Sequence, residues 1–167
     1  MSKPLCYAMN VLSVRDHSEL EIRRKLAAYQ HKTVTAEADA DADVYAEEMA
    51  ARSVEEIESA IAYCTEHGWL DDERFARRYI SGRSLKGYGM QRIRAELSQK
   101  GIDKAIIAAA LAECDIDWYE LAKSAAERKF GPLLPVEWKE KAKLQRYLLY
   151  RGFSHEEIQS IYANFSD

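Results

Sequence analysis

Apolar residues recur every three or four positions along almost the whole chain, which is the spacing of one face of an α-helix. Leu5 and Met9 begin the first such stripe, and Ile158 with Ile161 ends the last. No sequence signal for a β-hairpin interrupts the pattern. The pattern predicts nine short helices, near residues 5–15, 18–30, 54–67, 73–85, 89–100, 104–113, 118–130, 136–151 and 155–164.

Residues that favour helix ends stand at these boundaries. A Ser or Asp with Glu three positions later can form a reciprocal cap, in which each side chain accepts a backbone N–H of the first turn. Such pairs are Ser18–Glu21 (or Asp16–Glu19), Ser53–Glu56, Asp117–Glu120 and Ser154–Glu157. Simpler caps are predicted at Asp71 or Asp72 and at Asp103, and helix-ending glycines at Gly68, Gly101, Gly131 and Gly152.

The helical pattern repeats along the chain. With an offset of 51 residues, Ile93 matches Leu144, and Gly101 matches Gly152. The first part of the chain fits the same pattern if residues 31–52, an acidic and low-complexity stretch, are treated as a surface insertion that is partly helical from Val44. We therefore predict an all-α fold of three tandem three-helix repeats, at 5–70, 71–116 and 117–167, stacked into an elongated, curved array.

Charge is unevenly distributed along the chain, which indicates a candidate binding surface. The net charge is −4, yet residues 74–104 carry nine cations and two anions. A solvated surface is the ordinary interpretation of any one of these cations, whereas the cluster favours an acidic partner surface or a polyanion. The candidate binding residues are Arg74, Arg77, Arg78, Arg83, Lys86, Arg92, Arg94, Lys100 and Lys104.

Several residues near this cluster have a structural interpretation beside the functional one. Arg92 can pair with Glu96 one helical turn away, so Arg94 is the better candidate for binding. Tyr88, between two glycines, is able to stack on a base, although a simple helix–helix turn is the stronger interpretation. The cations of the third repeat favour a salt-bridged exposed face, and Trp69, Trp118 and Trp138 favour packing between helices.

Other chemistry finds little support in the sequence. Cys64 and His67 share a helix face, but a zinc site needs two further ligands, and Cys114 and His17 would have to converge on them. We predict neither a catalytic site nor a cofactor nor a metal. No apolar run is long enough to span a membrane, and three widely spaced cysteines favour a reducing cytoplasm.

The residues HGWLDDERFARRYISGRSLKGYGMQRIRAELSQKGI (67–102) resemble the central signature of the RecX family of bacterial regulatory proteins. VRDHSELEIRRKL (14–26) and YRGFSHEEIQSIY (150–162) resemble flanking parts of the same family. The long acidic insertion, and Gln30 in place of a glycine, depart from the pattern. Three tandem three-helix units are the architecture that this resemblance implies.

The resemblance also implies a function. RecX proteins bind the recombinase RecA and its filament on single-stranded DNA, block filament extension, and lower its recombinase, ATPase and co-protease activity. By this resemblance the chain is expected to be a cytoplasmic, monomeric regulator of recombination, DNA repair and the SOS response, with at most weak direct contact to DNA. The alternative is a non-specific single-stranded DNA-binding helical module, and the sequence leaves open whether the chain caps filament ends or lies in the filament groove.

Overall fold

The computed structural model describes residues 1–37 and 43–163, and every regular element in those residues is an α-helix. The helices are α1 (Lys3–Val14), α2 (Glu19–Glu37), α3 (Asp43–Glu66), α4 (Asp72–Leu85), α5 (Met90–Gln99), α6 (Lys104–Glu113), α7 (Trp118–Phe130), α8 (Trp138–Arg151) and α9 (His155–Ala163). None of these described helices is both long and apolar enough to cross a lipid bilayer. The predicted all-α fold of tandem three-helix repeats is confirmed.

The predicted helix ends are mostly confirmed at the level of single hydrogen bonds. Ser18 and Glu21 cap reciprocally, since each side chain accepts the other's backbone N–H at 3.1 Å. Ser154 and Glu157 do the same at 2.7 and 3.2 Å. Asp117 accepts two N–H groups at the start of α7, and Gly68, Gly101, Gly131 and Gly152 have the positive φ angles of helix-ending glycines.

Two expectations about the first repeat were wrong. Ser53 lies inside α3 and caps nothing, because that helix begins ten residues earlier, at Asp43. The helix predicted to end near residue 30 continues to Glu37, since Gln30 stands where the other repeats have a helix-ending glycine. The predicted insertion is thus built from extensions of α2 and α3, and its residues 38–42 lie outside the described part of the chain.

The chain divides into two compact units, Met1–Phe75 and Ala76–Asp167. In the first unit, α1 packs on α2 and α3 around Leu5, Ala8, Ile22, Leu26, Ala60, Ile61, Cys64 and Leu70. In the second unit, α7, α8 and α9 enclose Ala122, Ala125, Ala126, Leu144, Leu148, Phe153, Ile158 and Ile161. The predicted boundaries of the three repeats stay a prediction.

Repeat-equivalent positions have equivalent burial. Ile93 and Leu144 are both 0% exposed, and Leu97 and Leu148 are likewise 0% exposed. Gly101 and Gly152 both have positive φ, at 80° and 104°. Residues 51 positions apart therefore occupy equivalent positions in the second and third repeats, as the sequence indicates.

His17 is buried in the first unit, 4% exposed, with its Nδ1 3.0 Å from the carbonyl oxygen of Arg15. Burial lowers its pKa from the ordinary value of 6.5. Below pH 6.5 the unfolded chain therefore takes up a proton that the folded chain does not, and the free energy of unfolding should fall as the pH drops from 7 towards 5. One such group contributes a slope of at most about 1.4 kcal/mol per pH unit.

We expect His17→Gln to flatten this slope, measured by urea unfolding at several pH values. The same substitution at exposed His155 controls for the loss of one histidine. An unchanged slope in His17→Gln would show that other groups produce the acid sensitivity.

Candidate partner-binding surface

Arg74 belongs to the first unit, where it completes the end of α3. Its guanidinium donates to the carbonyl oxygens of Gly68 at 2.7 Å and Trp69 at 3.4 Å, just after the last helical turn. A cation at a helix C-terminus satisfies unpaired carbonyls and offsets the negative end of the helix dipole. Arg74 is therefore a structural residue.

The second and third repeats meet through backbone atoms at the start of α5 and the end of α8. The N–H of Gly89 donates to the carbonyl of Arg151 at 2.8 Å, and the N–H of Gln91 donates to the carbonyl of Gly152 at 3.1 Å. First-turn N–H groups and last-turn carbonyls lack partners within their own helices. Each helix end thus satisfies the other, and we call this contact the inter-repeat joint.

Glycine is required on both sides of the joint. A Cβ on Gly89 would lie 2.4 Å from the backbone carbonyl carbon and oxygen of Gly152. A Cβ on Gly152, whose φ is +104°, would lie 2.4 Å from the Cβ of Arg92. These glycines allow two helices to approach closely, which is a stronger demand than the simple turn that the sequence predicts at residues 86–89.

Arginine side chains surround the joint and enclose Tyr88. The guanidinium carbons of Arg83, Arg151 and Arg92 lie 3.8, 4.0 and 4.5 Å from the centre of its ring. Arg151 also donates to the carbonyls of Lys86 and Gly87 beyond the end of α4. Tyr88 is therefore a packing centre held by cation–π contacts and not an open platform for a base, in agreement with the structural interpretation of this turn.

Glu96 joins this arginine network from α5. It accepts from Arg83 at 2.8 Å, from Arg92 at 3.3 Å and from the hydroxyl of Tyr79. Burial by itself raises the pKa of Glu96, but hydrogen bonds from Arg83 and Tyr79 and the nearby positive charges outweigh it and hold the pKa below its usual value. The predicted Arg92–Glu96 pair is confirmed, and Arg92 further donates to the carbonyl of Tyr150 at 3.2 Å.

The nine predicted binding residues thus separate by their surroundings. Arg74, Arg83 and Arg92 hold other parts of the chain, and half-buried Lys100 has its ammonium nitrogen 5.5 Å from the centre of the Tyr79 ring. The exposed members are Arg77, Arg78, Lys86, Arg94 and Lys104, all in the second unit. Sequence spacing predicts this difference only for Arg92 and Arg94, since the other members of the two groups occur close together in the sequence.

A groove of about 740 Å³ runs between α5 and α6 in the second unit. Its residues recur at helical spacing along both helices, which makes it a furrow about as long as a ten-residue helix. The lining residues are Met90, Gln91, Arg94, Ala95, Ser98, Lys104, Ile107, Ala108, Leu111 and Ala112. The groove therefore has an apolar floor, with two of the exposed cations among its lining residues.

A second, smaller cavity of about 410 Å³ lies beside Arg77. Glu113 and Asp115 also line it, so the positive charge of Arg77 is offset there. The α5–α6 groove differs in that no acidic residue is among its lining residues, so the positive charges of Arg94 and Lys104 are not offset there.

The third repeat only partly follows its predicted pattern. Lys143 pairs with Glu140 at 3.4 Å on the exposed face of α8, and Lys141 lies over the ring of Tyr162. Arg151 instead points into the inter-repeat joint, a role that the sequence analysis missed. Trp118 is buried as expected, but Trp138 is 77% exposed at the start of α8, so its predicted packing between helices is wrong.

Cys64 and His67 have structural roles in the first unit. Cys64 is 0% exposed in the core, and burial raises the pKa of its thiol. The ring of His67 stacks on Tyr63, and its Nδ1 lies 2.8 Å from the Tyr63 carbonyl oxygen. Among the described residues, no three His, Cys, Asp or Glu side chains converge as metal ligands would.

Comparison with known proteins agrees with this fold. The family model of the second three-helix domain of RecX matches residues 71–111, and that of the third matches residues 115–161. The chain is 68% identical over 167 residues to the regulatory protein RecX of Pectobacterium atrosepticum, covering all of both chains. It is 57% identical to that of Serratia proteamaculans over 99% of each chain.

A solved structure agrees as well. The crystal structure of RecX from Lactobacillus salivarius superposes with a TM-score of 0.69 at 21% identity, covering 97% of this chain and 94% of that one. That likeness supports the fold. The sequence identity to the bacterial relatives covers the whole or nearly the whole of each chain. The chain therefore belongs to the RecX family of regulatory proteins.

Proposed function

We propose that this chain is a non-catalytic regulator that binds a bacterial RecA recombinase and its filament on single-stranded DNA. By blocking filament extension it lowers recombinase, ATPase and co-protease activity. The observation that carries this proposal is the 68% identity, over the full length of both chains, to a regulatory protein RecX. The chain acts in the cytoplasm as a monomer.

The inter-repeat joint supports this proposal physically. It ties the second and third repeats together through backbone hydrogen bonds and arginine contacts, so that their surfaces keep a defined relation. A surface of this kind can contact two places on a polymer at once, and the second contact then benefits from a high effective concentration.

The exposed cations Arg77, Arg78, Lys86, Arg94 and Lys104 form the partner-facing surface in this proposal. Arg74, Arg83, Arg92 and Lys100 contribute by supporting the elements that carry them. Contacts between these exposed cations and acidic groups weaken as salt rises, because counterions screen them.

The test compares the full chain's binding to RecA filaments with its binding to a bare thymidine oligonucleotide at physiological salt, and follows the DNA-dependent ATPase of RecA. We expect filament binding at micromolar or lower concentration, at least tenfold weaker binding to the oligonucleotide, and loss of ATPase activity. Loss at far less than one chain per RecA would indicate end-capping. Equal or stronger binding to the bare oligonucleotide, with the ATPase unaffected, would favour a non-specific DNA-binding module instead.

A further inference from the structure

Helix α6 has an unusual composition for a helix with an exposed side. Its sequence KAIIAAALAE is apolar nearly all round, which is typical of a helix covered on every face. Ile107 and Leu111 are buried, yet Ala105, Ala108, Ala109 and Ala112 are exposed. Ala108 and Ala112 lie along the α5–α6 groove, so this part of the groove is small, smooth and apolar.

No acidic residue is among those that line the groove beside these cations. Lys104 is the first residue of α6, next to the N-cap Asp103, whose carboxylate is occupied in accepting the N–H of Ala105, and the first turn contains no acidic residue. Arg94 contacts only the sulfur of Met90 among its described polar contacts. Both positive charges therefore favour an acidic group placed beside the groove by a partner.

We infer that the α5–α6 groove docks an amphipathic helix with acidic side chains, presented by the recombinase. This inference rests on the proposed function and names the surface that performs it. Small residues let a second helix approach closely, apolar side chains of that helix fill the floor, and its carboxylates pair with Arg94 and Lys104. A groove of this length accommodates about three helical turns.

The same observations disfavour DNA as the occupant. Most of the lining side chains, such as Ala95, Ala108 and Ala112, offer no hydrogen-bond donor or acceptor to a base edge, and Gln91 and Ser98 are the two uncharged polar residues among them. A phosphate backbone gains nothing from an apolar floor, whereas a protein helix buries it. Within the basic region, the groove is therefore suited to contact with a protein and not with the DNA strand.

The third repeat supplies matched controls. By the offset of 51 residues, exposed Gln159 corresponds to Ala108, and exposed His155 corresponds to Lys104. The equivalent surface there is polar where the α5–α6 groove is apolar. Substitutions at Ala108 and Lys104 should therefore weaken partner binding, and those at Gln159 and His155 should not. All four positions are exposed, so the fold should be perturbed little in each case.

The decisive experiment places the photocrosslinking residue benzoylphenylalanine at Ser98, an exposed groove-lining residue in the last turn of α5, or at its counterpart in the third repeat, exposed Leu149. The full chain carrying the probe is then bound to RecA filaments on a thymidine oligonucleotide. We expect the probe at Ser98 to crosslink to one helical segment of RecA that carries acidic residues three or four apart, and the probe at Leu149 not to. A crosslink from position 98 to DNA, to a second copy of this chain or to a non-acidic segment would overturn the inference. So would no crosslink from a variant that still inhibits the RecA ATPase.

Binding measurements complete the test. Ala108→Tyr and the pair Arg94→Glu with Lys104→Glu should each weaken filament binding at least tenfold and leave oligonucleotide binding within twofold, whereas Gln159→Tyr and His155→Glu should change neither. Unchanged circular dichroism establishes that the variants fold. If the groove variants bind filaments as the unaltered chain does, the groove inference fails while the proposed function stands. If the unaltered chain binds no filament, both fail.

Discussion

Replacing Gly89 by alanine is expected to lower the free energy of unfolding by about 1–3 kcal/mol, the usual cost of forcing an extra methyl group into a packed contact. The added Cβ would lie 2.4 Å from the backbone of Gly152, which cannot rotate away as a flexible side chain can. The φ of Gly89 is −85°, which any residue adopts, so the effect would come from the contact and not from backbone strain.

The direction of this effect makes the test sharp. At a compatible backbone conformation, Gly→Ala ordinarily stabilises a protein by about 0.4–1 kcal/mol, because it reduces the freedom of the unfolded chain. Gly82, in the middle of α4, has nothing within 4 Å of the position of an added Cβ and is the matched control. We expect Gly82→Ala to raise the free energy of unfolding in denaturant titrations while Gly89→Ala lowers it. A stabilised Gly89→Ala chain would mean that the inter-repeat joint does not exist in solution.

Replacing Glu96 by alanine is expected to cost about 3 kcal/mol of unfolding free energy. The substitution removes the acceptor for Arg83, Arg92 and Tyr79 at once, and the Glu96 side chain is only 21% exposed. Hydrogen bonds to charged groups contribute about 1.5–3 kcal/mol each, and the donors left behind lose their partner in a partly buried place. Glu96→Gln keeps an acceptor oxygen and should cost roughly half as much.

The pH dependence distinguishes this from a packing effect. The pKa of Glu96 is lower in the folded chain than its ordinary value of 4.5, so its charge stabilises the fold above that pH. As the pH falls below 4.5 and towards the folded pKa, the stabilisation is lost, and the difference between the unaltered and Glu96→Ala chains should narrow. Exposed Glu113→Ala, on α6, controls for the loss of one carboxylate and should change stability by less than about 0.5 kcal/mol. A difference that stays constant with pH would assign the effect of Glu96 to packing.

Much of the local architecture could be predicted from the sequence, because it depends on neighbours within a few residues. Apolar spacing predicts the buried faces, so that Ile93, Leu97, Leu144 and Leu148 are all fully buried. Ser18 and Ser154 cap because their Glu partners stand three positions away. Arg92 pairs with Glu96 because residues four positions apart lie on the same face of a helix.

The composition of α6 also contains a signal for the groove. The α6 segment KAIIAAALAE is apolar nearly all round and begins with a lysine. Such a helix, if one side is exposed, presents an apolar face beside a cation. Periodicity by itself missed it, because a uniformly apolar helix has no polar face to mark its exposed side.

Most of the helices and their caps, together with the repeat, could be predicted from the sequence, because each depends on residues at most one or two turns apart or on a pattern copied along the chain. The long-range contacts of the arginines at the inter-repeat joint could be found only in the tertiary structure. Arg151 reaches the carbonyl of Gly87, 64 positions away in the chain, and Arg92 reaches that of Tyr150, 58 positions away. Contacts over such separations exist only once α5 and α8 meet end to end at two glycines, and no local pattern encodes that meeting.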